Sequence, residues 1–307
     1  MRDATPCGFC GSADAEKVKT TSRSQLLAQY RHMHGLSFPP QVLESNFAFT
    51  NITTNRCRRC GTIFYDPSII GNAAFYDYLS SNISWYHPTK RWEYPIAAEV
   101  LLKENPKLFL EVGCGAGHFL RLAQSQGYEG HGSELERGHV DSLRAEGFCI
   151  LTELERGLSQ YDAVFMFQVL EHLVDPYAFL KSLIPHVQPG GVVVFSTPVT
   201  PSCVSLALPP FALPPHHQWL PSIQAFNCLA ERLGLVCDTV ICDPPDAGQV
   251  IYAIRKSCGY LPYSPNLARY WARLGRWGLK LATVMRCDWA KVGHTGMAVL
   301  RKPATSQ

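Results

Sequence analysis

Residues 108–118 read Leu108-Phe-Leu-Glu-Val-Gly-Cys-Gly-Ala-Gly-His118: a short apolar run, a turn with glycine at 113, 115 and 117, and the first residue of an apolar-periodic helix, His118 to Gln126, closed by Gly127. Strand, glycine turn and helix in that order are the opening of a parallel α/β unit. The pattern repeats outward. Strands are predicted at Tyr128–Glu134, Phe148–Leu151, Tyr161–Phe167 and Gly191–Ser196, with helices at Leu135–Glu146 and Pro176–Val187 between them. Asp175-Pro176 supplies a cap and a first-turn proline for the second of those helices. Regular alternation of this kind predicts an α/β, Rossmann-like sheet with helices on both faces.

The turn itself points to a ligand. Its glycines let bare backbone approach a molecule at the carboxyl end of the strand, beside a helix N-terminus. Glu134 closes the second strand 21 residues after Gly113, where an acid can accept both hydroxyls of a ribose. The spacing is GxGxG rather than GxGxxG, which disfavours a pyrophosphate cofactor and leaves a nucleoside.

These residues resemble the class I S-adenosylmethionine-dependent methyltransferases, over Lys107 to about Pro303. The motifs are Leu110-Glu-Val-Gly-Cys-Gly-Ala-Gly117, Gly132-Ser-Glu134, Tyr161-Asp-Ala-Val-Phe-Met-Phe-Gln-Val-Leu-Glu-His-Leu173 and Gln188-Pro-Gly-Gly-Val-Val-Val194. The Val-Leu-Glu-His subgroup, which includes ubiquinone-type and natural-product enzymes, is the most similar. The resemblance implies a seven-stranded sheet with one antiparallel strand near its edge. It implies S-adenosylmethionine contacts by Glu111, Gly113, Gly115 and Gly117 around the methionine moiety, Glu134 at the ribose, and Phe167 with Gln168 beside the sulfonium. An adenine-contacting acid is implied after the third strand, but Glu153 and Glu155 fit it poorly and the role stays open.

Methyl transfer is an in-line displacement, and an acceptor hydroxyl or acidic carbon must lose a proton. The segment after the fifth strand, Pro198 to Trp219, carries His216 and His217, and histidine can take such a proton near neutral pH. The resemblance favours His217 over His216; the alternative is that both cap or solvate the following helix, Ser222–Leu233. His172 faces the same region, with a structural role as its alternative. Asp243-Pro-Pro-Asp246 resembles a base-holding motif of nucleic-acid methylating enzymes, but it lacks the aromatic and lies beyond the fourth strand, so it reads as a loop. Leu235–Ile241 and Gly293–Lys302 fit the last two strands, with Gln249–Ile254 competing for one place.

Ahead of this domain stand Cys7-Gly-Phe-Cys10-Gly and Cys57-Arg-Arg-Cys60-Gly. Two such knuckles supply the four thiolates of a closed, structural zinc site, each glycine permitting a turn that aims backbone N–H groups at sulfur. The 46 intervening residues add little closure cost, which grows logarithmically. Between the knuckles a helix, Arg23–His34, ends at Gly35, a Pro39-Pro40 break follows, and alternation predicts strands at 46–52 and 62–67. An aromatic-rich connector, Phe75 to Tyr94, leads into a helix from Pro95 to Lys103, and reads either as a cover or as an interdomain packing surface. The predicted organisation is a zinc-binding module over 1–70, a connector and lid helix over 71–106, and the methyltransferase domain over 107–307. The module resembles the zinc-binding leader of some sugar C-methyltransferases.

The net charge of +3 over 307 residues argues against a protein that holds nucleic acid by its phosphates. It is a cancellation: residues 251–307 carry +9 and the first 250 carry −6. An acidic body suits a cationic sulfonium, and the basic end suits an anionic acceptor or a membrane surface. On a helix at 266–286, Arg269, Arg273, Arg276 and Lys280 fall on one face; a solvated basic face is the plainer reading. With no signal peptide and no membrane span in the sequence, the twelve cysteines point to a reducing cytoplasm. The expected function is methyl transfer to a small-molecule acceptor, with C-methylation of nucleotide-linked sugars as the rival enzyme and an RNA-binding zinc protein or a silent partner subunit as rivals of another class.

Overall fold

The computed structural model describes residues 5–84, 86, 88–152, 160–202, 205, 209–245, 249, 251, 273–278, 280 and 293–304. The quoted stretch forms strand β4 (Phe109–Val112) and helix α5 (His118–Ser125). Around it β5 (Gly130–Ser133), β6 (Cys149–Leu151), β7 (Tyr161–Phe167) and β8 (Val187–Pro198) run parallel, and β10 (Val236–Cys242) and β11 (Thr295–Arg301) complete seven strands in the order β10-β11-β8-β7-β4-β5-β6. Strand β11 is antiparallel to both neighbours, pairing Val299 with Val194 and Ala298 with Val240. This is the seven-stranded methyltransferase sheet that the motifs implied.

Alternation along the strands feeds two cores. Leu110, Val164, Met166, Val193 and Phe195 pack on one face with Leu180 and Leu183 of α7 (Pro176–Leu183) and Phe226 and Leu229 of α8 (Ile223–Leu233). Phe109, Phe165, Val192 and Val194 point the other way, onto Phe119 and Leu120 of α5 and onto Ala97 and Leu101 of α4 (Glu93–Glu104). A parallel strand covered on both faces reads as the near-continuous apolar run seen in β8. Helix α6 (Arg137–Ala145) covers β6. The helix signals are realised as caps: Asp175 accepts from the Ala178 amide with Pro176 in the first turn, and Ser222 caps α8, which ends at left-handed Gly234. His216 and His217 therefore do not cap that helix.

The N-terminal part forms a second sheet, all antiparallel, in the order β1 (Ala15–Ser22), β2 (Asn51–Cys57), β3 (Ile63–Asp66), β9 (Trp219–Leu220). Its last strand comes from the half that carries the larger sheet, pairing Ile63 with Leu220 and Phe64 with Trp219. Helix α1 (Arg23–His34) has a capping box between Ser22 and Gln25 and ends at left-handed Gly35.

Three parts of this half differ from the sequence reading or were missed by it. Residues 46–49 are not strand: Pro39-Pro40 starts a helix, α2 (Pro40–Asn46), because proline suits the first helical position, and Phe47 then buries its ring against Tyr30, Phe38 and Phe75. Strand β1 has no apolar period to find, since an exposed edge strand carries polar residues such as Lys17 and Lys19. The aromatic connector contains a full helix, α3 (Ala73–Asn82), capped by Asn72. Of the competing stretch at 249–254 only 249 and 251 are described, and 153–159, with Glu153 and Glu155, lie outside the described residues. So does most of 266–286; within it 273–278 and 280 are helical, with Arg273, Arg276 and Lys280 exposed. Among the described residues no helix is long and apolar enough to cross a membrane.

Candidate active site

Strands β4, β7 and β8 are parallel neighbours, so the segments leaving their carboxyl ends open onto one edge of the sheet. At β4 that segment is the glycine turn. Gly113, Gly115 and Gly117 all hold φ in the left-handed region, at 68°, 51° and 73°. A side chain at Gly113 would meet Val169, and one at Gly117 would strike Leu143, so these two glycines pack the turn against its neighbours. Gly115 has nothing within 4 Å on its side-chain face, which leaves an open cradle above the turn. Glu134 ties the turn together: its carboxylate accepts from the amides of Gly115 at 2.8 Å, Leu135 at 2.6 Å and Glu136 at 2.9 Å.

Glu111 projects from the same strand. It is 2% exposed, its Oε2 has no hydrogen-bond partner among the described residues, and burial pushes its carboxyl well above the ordinary carboxylate range. A buried carboxyl oxygen without a donor is costly, and a cationic ligand group in the cradle would satisfy it. The turn and this orphaned oxygen fit the amino-acid end of S-adenosylmethionine.

After β7, Gln168 sits at φ 59°, and its amide donates to Glu93 Oε1 at 3.0 Å and Ser196 Oγ at 3.2 Å. Ser196 in turn donates to the same Glu93 oxygen. Gln168 is thus held in place by Glu93 and Ser196. Glu93, 3% exposed at the start of α4, was not foreseen, because an acid in the first turn of a helix reads as dipole compensation. Phe167 packs edge-on against Tyr94 and Phe119 at 5.4 and 5.0 Å.

The three candidate histidines come together. Ring centroids are 5.0 Å apart for His172 and His216, 4.9 Å for His172 and His217 and 4.3 Å for His216 and His217. The loop carrying the pair is pinned by the Gln218 amide, which donates to the Glu171 carbonyl at 2.7 Å. Two connector tyrosines reach them: Tyr76 Oη lies 3.0 Å from His172 Nδ1 and Tyr86 Oη 2.9 Å from His216 Nε2. Burial holds His172 down to about 4 and His216 and His217 well below their usual value, so all three are neutral at pH 7. Beside them Glu171 is fully buried and pushed up to about 8 by the same desolvation. The tyrosines had no sequence signal beyond their density.

The four knuckle cysteines also converge. All are at most 3% exposed, with Sγ–Sγ separations of 3.7 Å for Cys7 and Cys60 and 3.4 Å for Cys10 and Cys57. Four thiolates about 2.3 Å from one zinc ion stand about 3.8 Å apart, so the set fits a tetrahedral metal. The two turns are alike: left-handed Gly11 and Gly61 each donate to the carbonyl of the first cysteine, and the backbone N–H groups of Phe9 and Cys10 face the Cys7 sulfur as those of Arg59 and Cys60 face the Cys57 sulfur, as expected. Arg232 of α8 donates to the Phe9 carbonyl at 2.9 Å and Ser222 to the Cys60 carbonyl, fastening the knuckles to the larger sheet's helices.

The chain is similar to known proteins over part of its length. It is 25% identical over 167 residues to ubiquinone biosynthesis O-methyltransferase of Rickettsia conorii, covering 49% of this chain and 57% of that protein. It is 28% identical over 160 residues to tRNA U34 carboxymethyltransferase of Idiomarina loihiensis, covering 47% and 50%. The chain thus spans about half the length of the curated relatives it matches. A SAM dependent methyltransferase from Archaeoglobus fulgidus aligns in structure with a TM-score of 0.47 at 16% identity, covering 68% of this chain and 94% of that one. The profile of the methyltransferase domain family matches residues 85–240, just over half of the 307 residues and the span from the aromatic connector to the end of the sixth strand of the large sheet, so the chain belongs to that family.

Proposed function

We propose that the protein is an S-adenosylmethionine-dependent methyltransferase whose small-molecule acceptor loses a proton as it is methylated. The observation that carries the reading is the open cradle over Gly115 with the unpartnered Glu111 Oε2 beside it. When bound there, the cofactor supplies an electrophilic methyl group on a sulfonium. Glu111 holds the amino-acid end through charge, Gly113, Gly115 and Gly117 give it backbone room, and Glu134 presents carboxylate oxygens toward a ribose. Gln168, fixed by Glu93 and Ser196, and Phe167 border the reacting end. Tyr76 and Tyr86 order the imidazoles and help close the space over the acceptor. His217, with His216 and His172, is the group placed to take the acceptor's proton, and the burial that disfavours their charged forms has to be offset by the bound cofactor and acceptor for it to do so. That chemistry suits an acceptor hydroxyl or an acidic carbon, and the relatives named as O-methyltransferases favour oxygen.

Cys7, Cys10, Cys57 and Cys60 hold a structural zinc ion, a closed four-sulfur set with no place for substrate. A second reading, methylation of a nucleotide-linked sugar, draws on the exposed Arg273, Arg276 and Lys280, which would meet a diphosphate. Titration calorimetry with S-adenosylmethionine tests the main reading: the wild-type protein gives binding heat and Gly115→Arg, which fills the cradle, gives none. Equal heat from both proteins would overturn it.

A further inference from the structure

We propose that His172, His216 and His217 form a second metal site, a three-nitrogen set for a divalent transition ion with at least one open coordination position. One ring nitrogen from each residue lies within 4.8 Å of the others, so modest ring rotation brings all three onto one ion at about 2.0–2.1 Å. The histidines are already oriented as ligands are. His172 Nδ1 lies 2.7 Å from the His216 carbonyl and His216 Nδ1 lies 2.9 Å from the Phe211 carbonyl, so each Nδ1 carries the proton and donates it, and each Nε2 keeps its lone pair. A backbone acceptor behind each imidazole is the usual support of a metal-binding histidine. The third member supplies independent evidence. His217 is 7% exposed, and its Nδ1 is buried without a hydrogen-bond partner among the described residues, an arrangement that a ligand relieves.

Three neutral imidazoles with no thiolate select zinc, cobalt, iron or nickel over calcium or magnesium. Three protein ligands plus an open position is the pattern of a working site, in contrast to the closed four-cysteine set. Tyr86 Oη, which donates to His216 Nε2 at 2.9 Å, holds the lone pair that the ion would take and must swing away for it to enter. The role of the ion rests on the reading of this cavity as the acceptor site. An acceptor hydroxyl on the open position would have its pKa lowered toward neutrality, its proton leaving to water, and the imidazoles would then act as ligands and not as the base. Binding of the ion itself is independent of that reading.

The full-length protein, stripped of metal and titrated with Co2+ alone, is expected to take two equivalents per chain. One shows the intense thiolate-to-cobalt absorption of the cysteine set, and the other shows only weak ligand-field bands. His217→Ala and His172→Ala each lose the weak-band equivalent and keep the thiolate one, while Cys57→Ser does the reverse. Tyr86→Phe tightens the weak-band equivalent several-fold by removing the competing donor. A single equivalent, or a second one that survives His217→Ala, would overturn the site, and no tightening in Tyr86→Phe would overturn His216 as a ligand. Circular dichroism and the heat of S-adenosylmethionine binding show that each variant is folded. Cofactor heat without a second cobalt equivalent removes this inference alone, whereas a second equivalent without cofactor heat removes the methyltransferase reading alone.

Discussion

Glu111 sits where strand β4 gives way to the glycine turn, with one carboxyl oxygen that nothing in the described protein satisfies. Burial raises its pKa, so below the ordinary carboxylate range the group is protonated in folded and unfolded chains alike and costs nothing. As pH rises from that range toward the folded pKa, the unfolded chain loses the proton first and the free protein loses stability. A cofactor ammonium group beside the carboxyl reverses the shift, so binding at a pH below the folded pKa should release a proton. Calorimetry in buffers of different ionisation enthalpy reads that release directly. Glu111→Gln should abolish it and weaken binding by about 1.5–3 kcal/mol, the worth of a hydrogen bond to a charged group, while stabilising the free protein. At this scale the sequence was informative for the cradle, because the turn, Glu111 and Glu134 lie within 24 residues and their geometry follows from local chain conformation. It was silent on Glu93 and Ser196, which meet across 103 residues and look ordinary where each stands.

Among elements, the joint between α4, β10 and β11 rests on one arginine. Arg301 of β11 makes two bonds to the Glu104 carboxylate, at 3.0 and 2.9 Å, and one to Asp238 of β10 at 2.7 Å. Those bonds hold the Glu104 carboxyl below its ordinary range. The sign follows: the stabilisation is present in full above the unfolded carboxylate pKa and is lost as pH falls through the depressed folded value. Arg301→Leu should cost about 1 kcal/mol at pH 7, as partly exposed pairs do, and less once Glu104 is protonated, when Arg301 still donates to the Gly190 carbonyl. Urea midpoints followed from pH 7 down through the acid range check the difference. Helices and inner strands were legible because period and caps agree, as at Asp175-Pro176 and Ser222. The outer elements were not. Strand β1 lies on an edge and shows no alternation, and the apparent alternation at 46–52 came from Phe47 and Phe49 serving a local aromatic cluster and not a sheet.

In the molecule as a whole, the knuckle cysteines share one apolar cluster with Leu180, Phe226 and Leu229 under the large sheet, together with Phe9, Phe64 and Trp219. If the cysteines hold the proposed zinc ion, removing it should therefore weaken more than the N-terminal module. A strong chelator, or Cys57→Ser, is expected to lower the melting temperature of the entire chain in one calorimetric transition. A separate early transition with the main peak unmoved would contradict that coupling. The histidine cluster belongs to this scale too. Tyr86 and His216 are 130 residues apart, and no spacing rule in the sequence brings a connector tyrosine to a loop after the fifth strand of the large sheet. Strand β9 carries a further consequence, for the order of events at the ribosome. The register of Ile63 with Leu220 leaves β3 without its neighbour until more than 150 further residues have been translated. Until then the nascent N-terminal sheet presents an open strand edge, which is a template for pairing with other chains. The strand that closes that edge follows directly on His216, His217 and Gln218, so the late arrival that protects the emerging polypeptide also draws the histidine loop into place.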